Sequence, residues 1–87
     1  MFQRGELKGN IMRHLIEFLL LHIVENPADL NIEEVDGEYR KIYQVSANSD
    51  DIGRIIGHQG KTIKAVRRVA TILAMDLNER FEIEIVD

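Results

Sequence analysis

Two glycines three residues apart, Gly57 and Gly60, join two stretches of helical periodicity, and no other feature restricts this chain's fold as much. Ile52, Ile55 and Ile56 precede them at helical spacing. Ile63, Val66, Ala70, Leu73 and Leu77 follow as a longer apolar stripe. The glycines therefore make a tight connection between two helices that pack on one core. A residue without Cβ takes positive φ at no steric cost and lets another backbone come close. Gly60 falls at the N-cap of the second helix, where it brings no side-chain oxygen for the N–H groups of the first turn. Those donors, and the positive end of the helix dipole, are a ready partner for phosphate. Lys61 follows at once, then Lys64, Arg67 and Arg68. The competing reading is a plain helix corner that has glycines for geometry alone.

Charge distribution favours the first reading. The formal net charge of −4 is unlike that of a general nucleic-acid binder. Yet no Asp or Glu occurs from Ile52 to Met75, a stretch that holds Arg54, His58, Lys61, Lys64, Arg67 and Arg68. The acids lie elsewhere, in Glu33, Glu34, Asp36 and Glu38 and in Asp76, Glu79, Glu82 and Glu84. A local basic patch attracts phosphate even when the total is acidic. The chain has no cysteine, and His14, His22 and His58 show no metal-ligand spacing, so no metal or cofactor is expected. Gly57 to Thr62 reads G-H-Q-G-K-T, but a nucleotide-binding P-loop would need its first glycine at Ile55 and a strand before the loop. No nucleophile constellation is present, and no catalytic role is expected. The N-terminus has no apolar signal-peptide core, which leaves a soluble cytoplasmic protein as the expectation.

In chain order, Met1 to Asn10 reads as a flexible lead. Ile11 to Glu25 reads as a helix, with Met12, Leu15, Leu19 and Ile23 as its buried stripe. Ile16, Leu20 and Val24 make a second stripe, and Phe18 and Leu21 add more; this surplus predicts a surface for self-association or for a partner, the alternatives being that Met1 to Asn10 folds back over it or that the helix is sunk between the sheet and the long helix. Asn26-Pro27 ends the helix. A strand over Asp29 to Val35, a turn at Asp36-Gly37 and a strand over Glu38 to Ala47 follow, the second with Tyr39, Tyr43, Val45 and Ala47 on one face. Ser49 or Asp50 caps the short helix before the glycines. Lys61 to Leu77 is the long helix, and Arg80 to Val86 the last strand. The order helix, strand, strand, helix, helix, strand predicts an α+β fold. A right-handed crossover returns the last strand parallel to the second, giving a three-stranded mixed sheet with the helices on one face.

The run Asp51-Ile52-Gly53-Arg54-Ile55-Ile56-Gly57-His58-Gln59-Gly60-Lys61-Thr62-Ile63 resembles the signature of the KH domain, whose G-x-x-G loop clamps the backbone of single-stranded nucleic acid. From about Ile11 onward the chain resembles the short bacterial single-KH proteins (KhpA-like), which implies one KH domain of bacterial type (type II) over residues 11–87. The resemblance implies single-stranded RNA binding by an RNA chaperone or post-transcriptional regulator. It also implies a homodimer, or a heterodimer with another KH-containing protein. On this reading Gly57, His58, Gln59 and Gly60 form the loop. Arg54, Lys61, Lys64 and Arg68 hold phosphates, and Ile56 offers an apolar floor for bases. His58 and Gln59 stand where many KH loops carry lysine or arginine, so the contact leans on the flanking cations. The alternative is a protein-interaction module with the same fold and little RNA binding, supported by the acidic total and the over-apolar first helix.

Overall fold

The computed structural model describes residues 4–86. Its order is α1 (Arg4–Leu21), β1 (Asn31–Asp36), β2 (Lys41–Ser46), α2 (Ser49–Ile56), α3 (Lys61–Asp76) and β3 (Phe81–Ile85). The central strand β2 runs antiparallel to β1 and parallel to β3, as the crossover through two helices requires. The core lies between the sheet and the helices. Met12, Ile16 and Leu20 of α1, Ile55 of α2 and Val66, Ala70 and Ala74 of α3 pack with Ile32, Tyr43, Val45 and Ile83. The strand residues share one face because strand side chains alternate, and the helical ones recur every third or fourth position. No helix among the described residues is long and apolar enough to cross a membrane.

The first helix differs from expectation at both ends and in its rotation. It includes residues 4–10, read from sequence as part of a flexible lead, as its opening turns; Met1 to Gln3 of that lead lie outside the described residues. Gly9 is buried there, and the Glu34 carboxylate occupies the space that a Cβ would need. Met12, Ile16 and Leu20 are fully buried at 0% exposure, whereas Leu15, Leu19 and Ile23 are only partly covered. Ile16 and Leu20, expected to be surplus, are therefore core. Periodicity identifies rows of residues along a helix, but two adjacent apolar rows look alike until a sheet packs on one of them. Phe18 remains outside at 60% exposure, with Ile11 and Leu21 also exposed.

The helix ends at Leu21, four residues before the expected Glu25; His22, Ile23 and Val24 still donate to the Leu19 and Leu20 carbonyls in a closing turn, and the donors after them are turned to another acceptor. Glu25 and Asn26 each donate a backbone N–H to the Asp51 carboxylate at 3.0 Å. The Asn26 side-chain amide and Arg54 add bonds at 3.2 and 3.1 Å. Arg54 also reaches Glu25 at 3.2 Å and the Asp50 carbonyl at 2.8 Å. Asp51 is fully buried, and this set of donors ties the end of α1 to the start of α2. The cap of α2 is Asn48, which accepts the Asp50 N–H at 2.9 Å, in place of the expected Ser49 or Asp50.

The hairpin is longer than a two-residue turn. Asp36 pairs with Lys41, and Gly37 donates to the Arg40 carbonyl at 2.8 Å across the four-residue loop 37–40. This register seats the Lys41 ammonium between Glu34 and Asp36, whose hydrogen bonds raise its pKa. Tyr39 consequently leaves the strand and stands 79% exposed in the loop.

Asp51 gives the fold a specific acid sensitivity. The Glu25 N–H, followed by Asn26 and Arg54, holds its carboxyl below the ordinary value of 3.8 although burial opposes this. Its contribution to stability is present above the unfolded-state pKa and is lost as pH falls through the lowered folded value. Asp51→Asn removes the charge and leaves buried N–H groups poorly paired. The variant should melt roughly 10 °C lower at neutral pH and lose less stability than wild type on going below about pH 4, both read by circular dichroism.

Candidate functional site

The glycine loop is built from backbone. α2 closes at Ile56, and Gly57 (φ 78°, ψ 171°) caps it by donating its N–H to the Gly53 carbonyl at 2.8 Å. Residues His58–Gly60 form one tight turn in which Gly60 donates to the Gly57 carbonyl at 3.1 Å and Lys61 to that of His58. Gly57 needs glycine twice over. Its φ is positive, and a Cβ would sit 2.7 Å from the Thr62 Cβ and 2.8 Å from the Thr62 backbone nitrogen. Gly60, at the N-cap of α3, needs it only for its φ of 75°, since nothing lies closer than the Lys64 Cε at 3.8 Å.

Gln59 also adopts positive φ, at 56°, which the sequence did not signal. A left-handed glutamine costs about 1 kcal/mol. Such outliers cluster where a loop must hold a set shape, and here the effect is to keep the His58 and Gln59 side chains exposed at the tip. Two of the donors expected to be available, those of Gly60 and Lys61, are occupied within the turn, so the anion-binding capacity of the helix start is narrower than first read.

The expected cations divide into two kinds. Lys61, Lys64 and Arg68, together with Arg67, are exposed on α3, and none forms a salt bridge among the described residues. Lys64, Arg67 and Arg68 border a shallow depression of about 420 Å³ with Thr71 and Ile72. Arg54 differs: its guanidinium is already held by Asp51, Glu25 and the Asp50 carbonyl. Spacing alone showed Arg54 as one more free cation, because its partners come from the end of α1 as well as from its own helix. Ile56 stands 38% exposed beside the loop, where an apolar floor was expected.

Three contributors escaped the sequence reading. Thr62 packs over Gly57, and Asn48 and Asp51 set the start of α2. Asp51 sits three residues before Arg54, a spacing that reads equally well as a solvent-exposed pair. A larger cleft of about 620 Å³ lies at the opposite end of β2, lined by Lys8 and by residues 36–41 and 78–80. There Tyr43 donates to Glu79 at 3.1 Å, and burial followed by the Glu79 charge raises the phenol's pKa. It contains none of the glycine-loop residues.

Element order, mixed sheet and helix–glycine loop–helix corner together define a KH fold of bacterial type. Among solved structures the chain is similar to Era in complex with MgGDPNP and nucleotides 1506–1542 of 16S ribosomal RNA, with a TM-score of 0.62 at 14% identity over 85% of this chain. It is also similar to Aquifex aeolicus Era bound to GDP and an aluminium fluoride, with a TM-score of 0.57 at 18% identity over 91% of this chain. It spans only 28% and 29% of those chains, so these likenesses concern the fold.

The sequence model of the family described as KhpA/KhpB, KH domain matches residues 13–85, and the chain belongs to that family. It is 36% identical to the RNA-binding protein KhpA of Chlamydia pneumoniae, over 87% of this chain and 97% of that protein. With KhpA of Thermotoga maritima the identity is 35%, over 78% of this chain and 91% of that one. With that of Clostridium perfringens it is 33%, over 86% and 100%.

The different demands on the two glycines are measurable. Gly60→Ala should cost about 1–2 kcal/mol, the strain of left-handed backbone alone. Gly57→Ala adds the collision with Thr62 and should cost more than about 2 kcal/mol. Urea denaturation of both variants checks the order.

Proposed function

We propose that this chain binds single-stranded RNA through the loop Gly57-His58-Gln59-Gly60 and the basic start of α3, as a cytoplasmic RNA chaperone or post-transcriptional regulator and without catalysing a reaction. One observation carries the reading. A loop with its backbone bared by two positive-φ glycines stands directly before Lys61, Lys64, Arg67 and Arg68, cations that have no acidic partner among the described residues. Unpaired cations along one helix form a track for phosphates, and the bare loop lets the strand approach that track. Ile56 supplies apolar surface for a base. Arg54 contributes by holding α2 in place, and only its remaining exposure is open to phosphate. The names of the KhpA relatives as RNA-binding proteins agree with this reading.

The same helix carries the partner surface. Beyond its basic half α3 exposes Val69, Ile72 and Met75, at 42%, 72% and 75%, and Leu15 of α1 joins Val69, Ile72, Leu73 and Asp76 around a groove of about 670 Å³. The face is self-complementary about Ile72. Three residues to either side lie Val69 and Met75, and four to either side lie Arg68 and Asp76. An antiparallel pair of α3 helices related by a two-fold axis would match apolar with apolar and Arg68 with Asp76 of a second copy. We therefore assign this face to a homodimer, with Arg68 at the border between RNA track and interface.

Two experiments test these assignments. His58→Asp combined with Gln59→Asp should leave the circular dichroism spectrum unchanged. Binding to single-stranded RNA, measured by filter binding at low and moderate salt, should fall by more than about tenfold, because two carboxylates then face the phosphates. A folded double variant that binds as wild type does would move the site away from the loop. Separately, analytical ultracentrifugation should show a wild-type dimer and an Ile72→Arg monomer; Ile72 is exposed, so the monomer should stay folded. A wild type that remains monomeric at high concentration leaves only a different KH-containing partner.

A further inference from the structure

Glu79 lines the cleft at the far end of β2, and its two carboxylate oxygens are treated differently. One accepts the Tyr43 hydroxyl at 3.1 Å. The other, Oε2, is buried and has no hydrogen-bond partner among the described residues. A buried acceptor left unmet costs free energy, and native structures leave few of them. A donor entering the cleft beside Glu79 would supply the missing bond.

The charges around Glu79 divide into paired and unpaired. Lys41 is held by Glu34 and Asp36, and Arg40 by Glu82. Lys8 and Arg80 form no salt bridge among the described residues, and neither does Glu38, which is exposed on the hairpin. Tyr39 lines the same cleft and stands 79% exposed. A wall with both signs unpaired selects among ligands. A bare anion would meet Lys8 and Arg80 and leave Glu79 unmet. An ammonium ion would meet Glu79 and be repelled by the two cations. A nucleotide carries every group the wall calls for. Its phosphate suits the cations, an amino group on its base suits the unmet oxygen, and the flat base suits the tyrosine ring.

We propose that this cleft is a second nucleotide site, separate from the glycine loop. The phosphate lies at Lys8 and Arg80, the base stacks on Tyr39, and its amino group donates to Glu79 Oε2. Between the cleft and the loop α3 runs for 16 residues, about 24 Å, so a strand held at the loop reaches the cleft only through intervening nucleotides. The occupant is a free mononucleotide or a distant nucleotide of that strand, both of which present the same groups. Only the second source rests on the RNA-binding reading.

Titrating the isotope-labelled protein with AMP, followed by its amide resonances, tests the site. Shifts should concentrate in residues 36–41 and 78–80 and spare 57–61. Purine riboside monophosphate, which is AMP without the amino group, should bind about tenfold more weakly, because Glu79 stays unmet. Tyr39→Ala and Arg80→Gln, both at exposed positions, should each weaken AMP about tenfold with unchanged circular dichroism. Ribose phosphate that binds as AMP does would reduce the cleft to an anion patch and overturn the proposal. Equal binding of AMP and its amino-free analogue would overturn it too. A second arm compares adenine-containing RNA strands of about six and about twenty nucleotides. If the strand is the source, the longer one should bind about tenfold tighter, and Tyr39→Ala should abolish that gain. AMP that does not bind, together with a length gain equal in wild type and Tyr39→Ala, would overturn the site while short-strand binding keeps the loop reading. A protein that takes AMP in the cleft and binds no RNA would overturn the RNA-binding reading alone.

Discussion

The buried carboxylate of Asp51 is the interaction on which the site depends. It receives two backbone N–H groups, a side-chain amide and a guanidinium, and it is fully buried. A charge in that position is tolerable only because every donor around it is directed at the carboxylate oxygens. The consequence is positional. The segment that follows α1 and the start of α2 share one anion, so α2 is tied to the chain leaving the helix that covers the sheet. α2 in turn sets where Gly57 begins the loop and where α3 departs. The loop itself contains little besides backbone, so its placement comes from the elements on either side.

Charge is partitioned with similar economy. The net charge is −4, yet the cations of α3 are left unpaired. On the strands and the hairpin, by contrast, acids are paired: Glu34 and Asp36 hold Lys41, and Glu82 meets Arg40. The acid-free segment thus leaves Lys61, Lys64, Arg67 and Arg68 as a run of exposed cations without an acidic partner among the described residues.

Much of this was legible before any coordinates. The alternation over Lys41–Ser46 of β2 and in β3, the glycine pair and the stripe of α3 each rest on local rules that a few neighbouring residues satisfy, and each appears within the stretch expected for it. Each failure has a physical origin. Leu20 lies in the core and not outside because β1 and α3 pack on one of two equivalent apolar rows of α1. The first helix does not reach Glu25 because Asp51, twenty-six residues further on, captures the Glu25 and Asn26 N–H groups. Tyr39 leaves β2 because Lys41 is paired with Asp36 across the hairpin. In the first two cases a contact between distant parts of the chain decided among local options of nearly equal merit; in the third the register of the hairpin itself did.

The sequence by itself determined the element order, the parallel return of the last strand, the loop glycines and the acid-free segment. These follow from periodicity, backbone sterics and charge, which act over a few residues. Tertiary structure alone decided which row of α1 is buried, that Arg54 is engaged while Lys61, Lys64, Arg67 and Arg68 are unpaired, and that Lys8, Tyr39 and Arg80 line one cleft. Burial, ion pairing and open space are properties of surfaces brought together in three dimensions. They depend on which side chains meet, and that is settled only when the helices close on the sheet.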